Sequence, residues 1–303
     1  MCIVKLFCEI DDFCQELEPQ IEAYNAQSHN AIQLIGDISS SRGPKSRLCL
    51  SEQMTIVILF HQSGYRTFKQ FYKLEVCGHL KKYFPKSLSY SWFIRRMSHL
   101  IFPLHCYLQT RLGKVSGISF VDSTPIVVCH NRRIYSHKVF KGMAKKGKSS
   151  TGWFFGFKLH IIVSDTGELL AFCFTPGNTD DRVPVPNMTE NIVGKLIADK
   201  GYISKKLFTE LYERGLQLIT KIKSNMKNKL MKLSDKLLLR KRGIIETVND
   251  QLKNISQIEH SRHRSPFNFI VNLYCALIAY THQEKKPSLK LNKKEIDSLP
   301  LAI

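Results

Sequence analysis

Residues 118–124 read ISFVDST and residues 196–202 read LIADKGY, and these two stretches decide the fold. In each stretch a short apolar run predicts a β-strand, and an aspartate, Asp122 or Asp199, follows it directly. The carboxyl ends of the strands are where an α/β sheet exposes functional side chains. If the two strands are neighbours, we expect their carboxylates to converge at one edge of the sheet.

The residues around these two strands predict a mixed sheet with helices on its faces. Asp165-Thr-Gly167 separates two apolar runs, 157–163 and 169–174, and therefore predicts a hairpin. The elements predicted after the hairpin are a helix at about 182–192, the strand 196–198, a helix at 203–214, a strand at 216–222 and a long helix at about 234–258. A hairpin followed by alternating helices and strands is typical of a mixed sheet.

The chain is strongly basic. It has 45 Lys and Arg against 25 Asp and Glu, which gives a formal net charge of +20. Such an excess indicates a polyanionic partner, and nucleic acid is the first candidate. Residues 1–40 are instead acidic, so we expect this arm to be solvated or to pack against the basic body, and not to contact DNA.

Several other classes of protein are excluded by the sequence. The N-terminal run MCIVKLFCEIDDF is broken by acids, which is unlike a signal peptide. The most apolar stretch, 269–280, is shorter than the roughly 20 residues that cross a bilayer. The nine cysteines contain no CxxC pair, which argues against a disulfide framework or a zinc site. These patterns predict a cytoplasmic protein without a membrane partner.

A third carboxylate, Glu246, lies on the predicted helix 234–258. One stripe of this helix is apolar and should face the sheet: Ile245, Val248, Leu252 and Ile255. A second stripe is polar: Arg242, Glu246, Asn249 or Asp250, and Lys253. Alone, such a face is usual for a solvated ion-pair ladder, and a strand-end Asp is usual for a turn. Their occurrence together favours metal-dependent phosphodiester chemistry, with cations placed to hold phosphates.

The segment 130–150 is rich in basic residues and has no acidic one. Its cations are Arg132, Arg133, Lys138, Lys141, Lys145, Lys146 and Lys148. Tyr135 and Phe140 are interspersed, and Trp153-Phe-Phe155 follows. We expect the cations to contact the DNA backbone. The aromatic residues either stack on unpaired bases or enter the core.

Five motifs in one order carry a resemblance to a known family. They are FVDSTPI at 120–126, GFKLH at 156–160, TPGNTDDR at 175–182, ADKGY at 198–202 and RGIIETVNDQLK at 242–253. The chain resembles the DDE-type transposases of bacterial insertion sequences, and most closely insertion sequence family 982. The resemblance implies an α/β fold: a ribonuclease-H-like mixed five-stranded sheet flanked by helices, preceded by a helical N-terminal region.

The resemblance also implies a site and its partners. The catalytic, metal-binding triad would be Asp122, Asp199 and Glu246, which would hold two Mg²⁺ ions. Arg242 and Lys253 match cations of a related signature and would bind DNA phosphates; the tyrosine of that signature is replaced by Leu239 here. The partners would be double-stranded DNA, as element ends and target, and a second copy in a homodimer on DNA, in the bacterial nucleoid.

Three regions are predicted: a helical DNA-binding module over 1–114, the catalytic domain over 115–283 and a basic tail over 284–303. The predicted function is cleavage of insertion-sequence ends and their joining to target DNA. Two alternatives share these features: another ribonuclease-H-fold nuclease or resolvase, and an inactive transposase remnant that only binds DNA.

Overall fold

A computed structural model describes residues 2–27, 47–150, 152–222, 226, 230–259 and 263–289. The chain divides into two compact units. The first contains residues 1–111 and 251–284, and the second contains residues 112–250 and 285–303. Residues 251–283, which the sequence analysis placed with the catalytic region, cluster with the helical unit. Of the predicted tail, residues 290–303 lie outside the described residues.

The elements, in chain order, are α1 (Ile3–Gln27), α2 (Leu50–Phe60), α3 (Phe68–Phe71), a π-helix (Tyr72–His79), α4 (Tyr90–Arg96), a 3₁₀ turn (Met97–Leu100), α5 (Ile101–Thr110), β1 (Ile118–Cys129), a 3₁₀ turn (Asn131–Arg133), β2 (Lys145–Ser149), β3 (Gly152–Ser164), β4 (Leu169–Pro176), α6 (Val185–Met188), β5 (Gly194–Ala198), a 3₁₀ turn (Lys200–Tyr202), α7 (Lys205–Glu213), β6 (Leu216–Thr220), α8 (Leu233–Arg240), α9 (Gly243–Asn254) and α10 (Pro266–Thr281).

The first unit is helical throughout its described part. Most of α10 is apolar and buried, and this helix packs on α2 and α5, which explains why it belongs to this unit. The first residues of the acidic arm form α1, a helix of 25 residues whose Leu6 and Ile10 are fully buried. None of the helices in the described part of the chain has an apolar stretch long enough to cross a bilayer.

The second unit is built on one mixed sheet. The strands follow the order β4-β3-β1-β5-β6, with β3 antiparallel to β4 and β1, and with β5 parallel to β1 and β6. This is the predicted ribonuclease-H-like arrangement. The sheet has six strands and not five, because Lys145–Ser149 of the basic segment also pairs with β3, as the short strand β2. The end of the basic segment 130–150 therefore forms a hairpin with β3.

The centre of the sheet is apolar on both faces. All five residues of β5 are buried, as expected for a parallel strand covered by helices. Leu196 and Ala198 pack in one cluster with Val121 of β1 and with Leu207 and Leu211 of α7. This packing fixes β1 and β5 next to each other and so fixes the residues that follow them.

One ion pair is buried in the second unit, at the start of β5. The Nζ atom of Lys195 lies 2.7 Å from Oδ1 of Asp235 on α8, and both side chains are less than a tenth exposed. A buried charge is tolerated where it is paired in this way. The pair connects α8 to the sheet.

The predicted long helix 234–258 is wrong: two helices, α8 and α9, replace it. They are separated by a turn at Lys241 and Arg242, where the N–H of Ile244 donates to the carbonyl of Lys241. Gly243 begins α9, and glycine in a helix costs about 1 kcal/mol relative to alanine. The break places Arg242 directly before the helix that carries Glu246.

Candidate active site

The register of β1 and β5 brings the two predicted aspartates to the same level. Asp199 follows its strand as predicted, whereas Asp122 lies within β1, because β1 continues to Cys129 in its antiparallel pairing with β3. The last paired residues of these parallel strands are Phe120 and Ile197. Two residues farther on, each chain reaches its aspartate, Asp122 or Asp199, and the backbone of Asp199 is still extended. Alternate residues of a strand share a face, and neighbouring strands lie roughly 4.8 Å apart. The expected convergence of the two aspartates is therefore built into the register.

Asp122 lies in an electrostatically unfavourable position for a carboxylate. Its pKa is raised to about 6, mainly by burial; the charges of Asp199 and Glu246 add to the rise, and Arg242 opposes it. The influence of both acids on this pKa places Asp199 and Glu246 each within electrostatic range of Asp122.

Arg242 connects Asp122 to Glu246. Its guanidinium bonds the carboxylate of Glu246 one turn along α9, and its Nη1 lies 3.9 Å from Oδ2 of Asp122. Nη1 itself has no hydrogen-bond partner among the described residues. The Glu246 side chain is 60% exposed and Asp199 is also exposed, whereas Asp122 is half-buried.

Asn249 is the member of the polar stripe that contacts the site. Its Nδ2 donates to Oδ2 of Asp122 over 3.3 Å, whereas the neighbouring Asp250 is exposed. The sequence left these two residues as alternatives. Asn249 is itself buried, so the amide has a fixed position from which to orient the Asp122 carboxylate.

The three carboxylates fit a hard divalent cation by chemistry, but they are not gathered into a closed site. Within the described ranges, no group of three or more His, Cys, Asp or Glu side chains is close enough together to hold a metal ion. Carboxylate oxygens are the ligands that Mg²⁺ prefers. A partly buried carboxylate whose neighbours are also acidic is stabilised by a cation, so the donor set of Asp122 and Asp199 fits Mg²⁺.

Tyr202 and Asp181 also belong to this neighbourhood. The phenol of Tyr202 is buried, and its pKa is raised by that burial and by the charges of Asp122 and Asp181. Asp181 accepts a 2.8 Å bond from Nζ of Lys158 on β3. The sequence analysis gave Tyr202 no role, although this aromatic residue lies three positions after Asp199 in the motif ADKGY. Asp180 is held by Arg182, which lowers its pKa to about 2.

His160 is the remaining titratable residue near the carboxylates. It lies opposite Ser123 in the pairing of β1 with β3, and its Nε2 is 2.8 Å from Oγ1 of Thr175. Burial lowers its pKa to about 4, so it is neutral at physiological pH. A neutral, hydrogen-bonded imidazole fits a structural position.

The predicted DNA-binding cations divide into two groups. All seven of the basic segment, namely Arg132, Arg133, Lys138, Lys141, Lys145, Lys146 and Lys148, are exposed. Lys253 instead lies in the first unit, where its Nζ is 3.4 Å from a carboxylate oxygen of Glu259.

Comparisons with known proteins give one family match and several distant structural matches. No curated protein matches the sequence. One solved structure that resembles the chain is a piggyBac transposase synaptic complex with hairpin DNA (10% identity, 97% of this chain and 76% of that chain covered, TM-score 0.45). Another is the Mos1 mariner paired end complex with Mn (12% identity, 93% and 98% covered, TM-score 0.23).

Both TM-scores are below 0.5, and the sequence match is the stronger finding. The family model described as "Transposase DDE domain" matches residues 112–266, just over half of the chain. This range contains the whole described sheet and all three predicted carboxylates. The chain therefore belongs to the DDE transposase domain family.

Proposed function

We propose that this transposase cuts the ends of an insertion sequence and joins the freed 3′ ends to target DNA, with Asp122, Asp199 and Glu246 as its catalytic carboxylates. The observation that supports the proposal is the register of β1 and β5: two residues past their last parallel pair, Phe120 with Ile197, the chain reaches an aspartate in each case, Asp122 or Asp199. These three residues would hold the Mg²⁺ ions. When bound, two Mg²⁺ ions supply activation of the attacking water or hydroxyl and neutralisation of charge on the phosphate.

The residues of the chain supply orientation and charge. Asn249 donates to Asp122 and so fixes the direction of its carboxylate. Arg242 has an Nη1 that is buried and not hydrogen-bonded, next to the two acids. A guanidinium with a free donor at this position is suited to gripping an oxygen of the scissile phosphate.

The seven exposed cations of the basic segment support a phosphate track for double-stranded DNA. We assign element-end and target DNA to this track because positive charge is concentrated there without an acidic residue. Lys253 is a weaker candidate for phosphate binding, since Glu259 neutralises it.

The helical N-terminal region is proposed as the DNA-binding module. In the first unit a cavity of about 1010 Å³ is bordered by four cations: Arg66, Lys69, Arg95 and Arg264. Cations gathered around one concave surface favour contact with a polyanion. We further propose that the protein acts as a homodimer on DNA, since two ends have to be joined, and that it is of the kind found in bacterial insertion sequence family 982.

Strand cleavage of the element's own end tests the proposal. Wild-type protein with Mg²⁺ should nick the labelled end, Asp199→Ala should not, and Glu213→Gln, an exposed acid on α7, should cleave normally. Joining of the labelled end to a plasmid distinguishes a transposase from a resolvase. Cleavage that survives Asp199→Ala would overturn the assignment of the carboxylates. DNA binding without any cleavage would indicate an inactive remnant.

A further inference from the structure

A recess of about 380 Å³ lies in the second unit, beside the β2–β3 hairpin. We call it the Trp153 recess. Its lining comes from the hairpin, from β3, from the loop after β4 and from the turn after Asp199: Lys146, Gly147, Lys148 and Trp153; Lys158; Gly177, Asn178, Thr179, Asp180 and Asp181; and Gly201. It is therefore continuous with the segment that carries one of the proposed catalytic carboxylates.

Trp153 is exposed to a degree that is unusual for its size. Its exposed fraction is 56%, although its neighbours Phe154 and Phe155 are buried. The Nζ atoms of Lys146 and Lys148 lie 5.0 and 5.9 Å from the centroid of the indole. The two lysines and the tryptophan thus share one face of the hairpin, in the geometry of cation–π contacts.

The recess is held in shape by backbone contacts and not by flexible side chains. A Cβ atom on Gly147 would lie 2.1 Å from the carbonyl oxygen of Gly177, and one on Gly177 would lie 2.7 Å from that of Lys145. The N–H of Gly177 also donates to the carbonyl of Gly156 on β3. The hairpin and the loop after β4 are therefore in direct contact, and the recess exists before a ligand binds.

The acids of the recess are already neutralised, but its outer lysines are not. Asp181 is bonded to Lys158 over 2.8 Å, and Asp180 is paired with Arg182. For Lys146 and Lys148, no ion pair occurs within the described ranges of the chain. The recess therefore offers an exposed aromatic surface next to two uncompensated positive charges, a combination that recognises an aromatic anion.

We propose that the Trp153 recess holds one unpaired nucleotide of the DNA strand next to the cleavage point. The base stacks on the indole of Trp153, and Lys146 and Lys148 contact the flanking phosphates. The volume lies in the range of roughly 300–1,000 Å³ that is typical of small-molecule sites, so a single nucleotide fits whereas a duplex does not. This inference rests on the proposed function, because it places a DNA end at the carboxylates.

The contacts of Asp181 support a location next to the chemistry. Asp181 is bonded to Lys158 in the wall of the recess, and its charge, like that of Asp122, raises the pKa of the buried Tyr202 phenol. Gly201, two residues after Asp199, also lines the recess, so the recess adjoins the turn that follows this carboxylate. A base leaving the duplex next to the scissile phosphate would have a platform within reach.

Binding without metal tests the proposal separately from cleavage. The probes are a DNA duplex with a short single-stranded thymidine overhang and the same duplex with blunt ends, both in EDTA. Trp153→Ala should weaken overhang binding by roughly 5- to 100-fold, the effect of losing one stacked base, and blunt-end binding by less than about twofold. Trp153→Phe should retain most of the affinity. Tyr212→Ala, which removes another exposed aromatic residue of this unit, is the control and should bind like wild type.

Fluorescence provides a second readout. The chain has 2 tryptophans, so Trp92→Phe leaves Trp153 as the sole indole. Overhang DNA should quench this protein more strongly than blunt duplex or a duplex whose overhang is abasic. Equal quenching by all three probes, or equal loss of overhang and blunt-end binding in Trp153→Ala, would overturn the inference.

The two proposals fail in distinguishable ways. If Asp199→Ala abolishes cleavage while Trp153→Ala binds overhang DNA as wild type does, the nucleotide site is wrong and the proposed function stands. If Asp199→Ala cleaves normally, the catalytic assignment is wrong whatever Trp153 does, and a selective loss of overhang binding would still establish the nucleotide site.

Discussion

The two ends of strand β5 differ in how far their charged side chains are balanced by a partner of opposite charge. At its start, Lys195 is buried and paired with Asp235 over 2.7 Å. Just past its other end, Asp199 joins Asp122 and Glu246, and the only described cation paired with this group is Arg242. At the start of β5 the charges of Lys195 and Asp235 balance each other. Near its other end the carboxylates carry more negative charge than Arg242 balances.

This difference separates stability from function. Removing one partner of a buried ion pair strongly destabilises the folded protein, because the remaining charge stays buried without a partner. An acidic group with unbalanced charge costs stability in the free protein and lowers that cost when a cation binds. We therefore expect substitutions at the two ends to have opposite consequences for folding and for activity.

The largest effect should be the loss of catalysis in Asp122→Asn. This change removes a carboxylate while keeping its shape, so cleavage of the element's end should fall by about 10⁴-fold, which corresponds to about 5 kcal/mol of activation free energy. The melting temperature should not fall, since a buried charge has been removed. A gel assay of cleavage and a thermal melt measure the two effects. Cleavage within tenfold of wild type would contradict the comparison.

The second effect should be a loss of stability in Asp235→Asn. Removing one partner of the buried pair should lower the free energy of unfolding by about 3–5 kcal/mol, measured by denaturant titration. The double variant Lys195→Met with Asp235→Leu is the control and should recover most of this loss, because neither charge remains. If Asp235→Asn is as stable as wild type, Lys195 and Asp235 do not form the buried ion pair described above.

The third effect is a pH dependence that comes from Asp122. Its pKa of about 6 in the folded protein lies above the ordinary 3.8, so the proton binds more tightly to the folded than to the unfolded chain. The resulting stabilisation is fully present below about pH 4 and is lost as the pH rises through about 6. Without metal, this loss should be on the order of 2–3 kcal/mol in wild type and absent in Asp122→Asn. Parallel pH profiles for the two proteins would refute the raised pKa.

The smallest effect should be stabilisation by Mg²⁺. At ten times its dissociation constant, a ligand that binds only the folded state adds about 1.4 kcal/mol. Thermal melts should show this shift in wild type and in Glu213→Gln, and should show little or none in Asp199→Ala. Equal shifts in all three proteins would place the ion elsewhere on the surface.

The sequence was sufficient to predict strands next to Asp122 and Asp199 and a helix that carries Glu246, because apolar runs and helix stripes are local patterns. Asp122 and Asp199 each follow an apolar run, and Glu246 lies on one face of an amphipathic helix. The mixed sheet with flanking helices followed from general rules on hairpins and crossovers.

Features that depend on distant partners could not be predicted. The choice between Asn249 and Asp250 depended on where α9 begins, and the break before Gly243 moved that point. The strand β2 forms where Gly147 and Gly177 allow two backbone segments to come into contact. From the sequence alone, a glycine in a basic segment is equally compatible with a loop. The pairing of Lys195 with Asp235 joins residues 40 positions apart.

The pairing of Phe120 with Ile197 has a consequence for telling intact genomic copies from degenerate ones. Deleting a single codon within either run that precedes the aspartates would turn that acid to the opposite side of its strand, although every acid would remain in the alignment. Copies should therefore be judged by the length of these two runs as well as by the presence of the three acids. A copy that keeps all three acids but has a shortened apolar run before either aspartate is expected to be inactive.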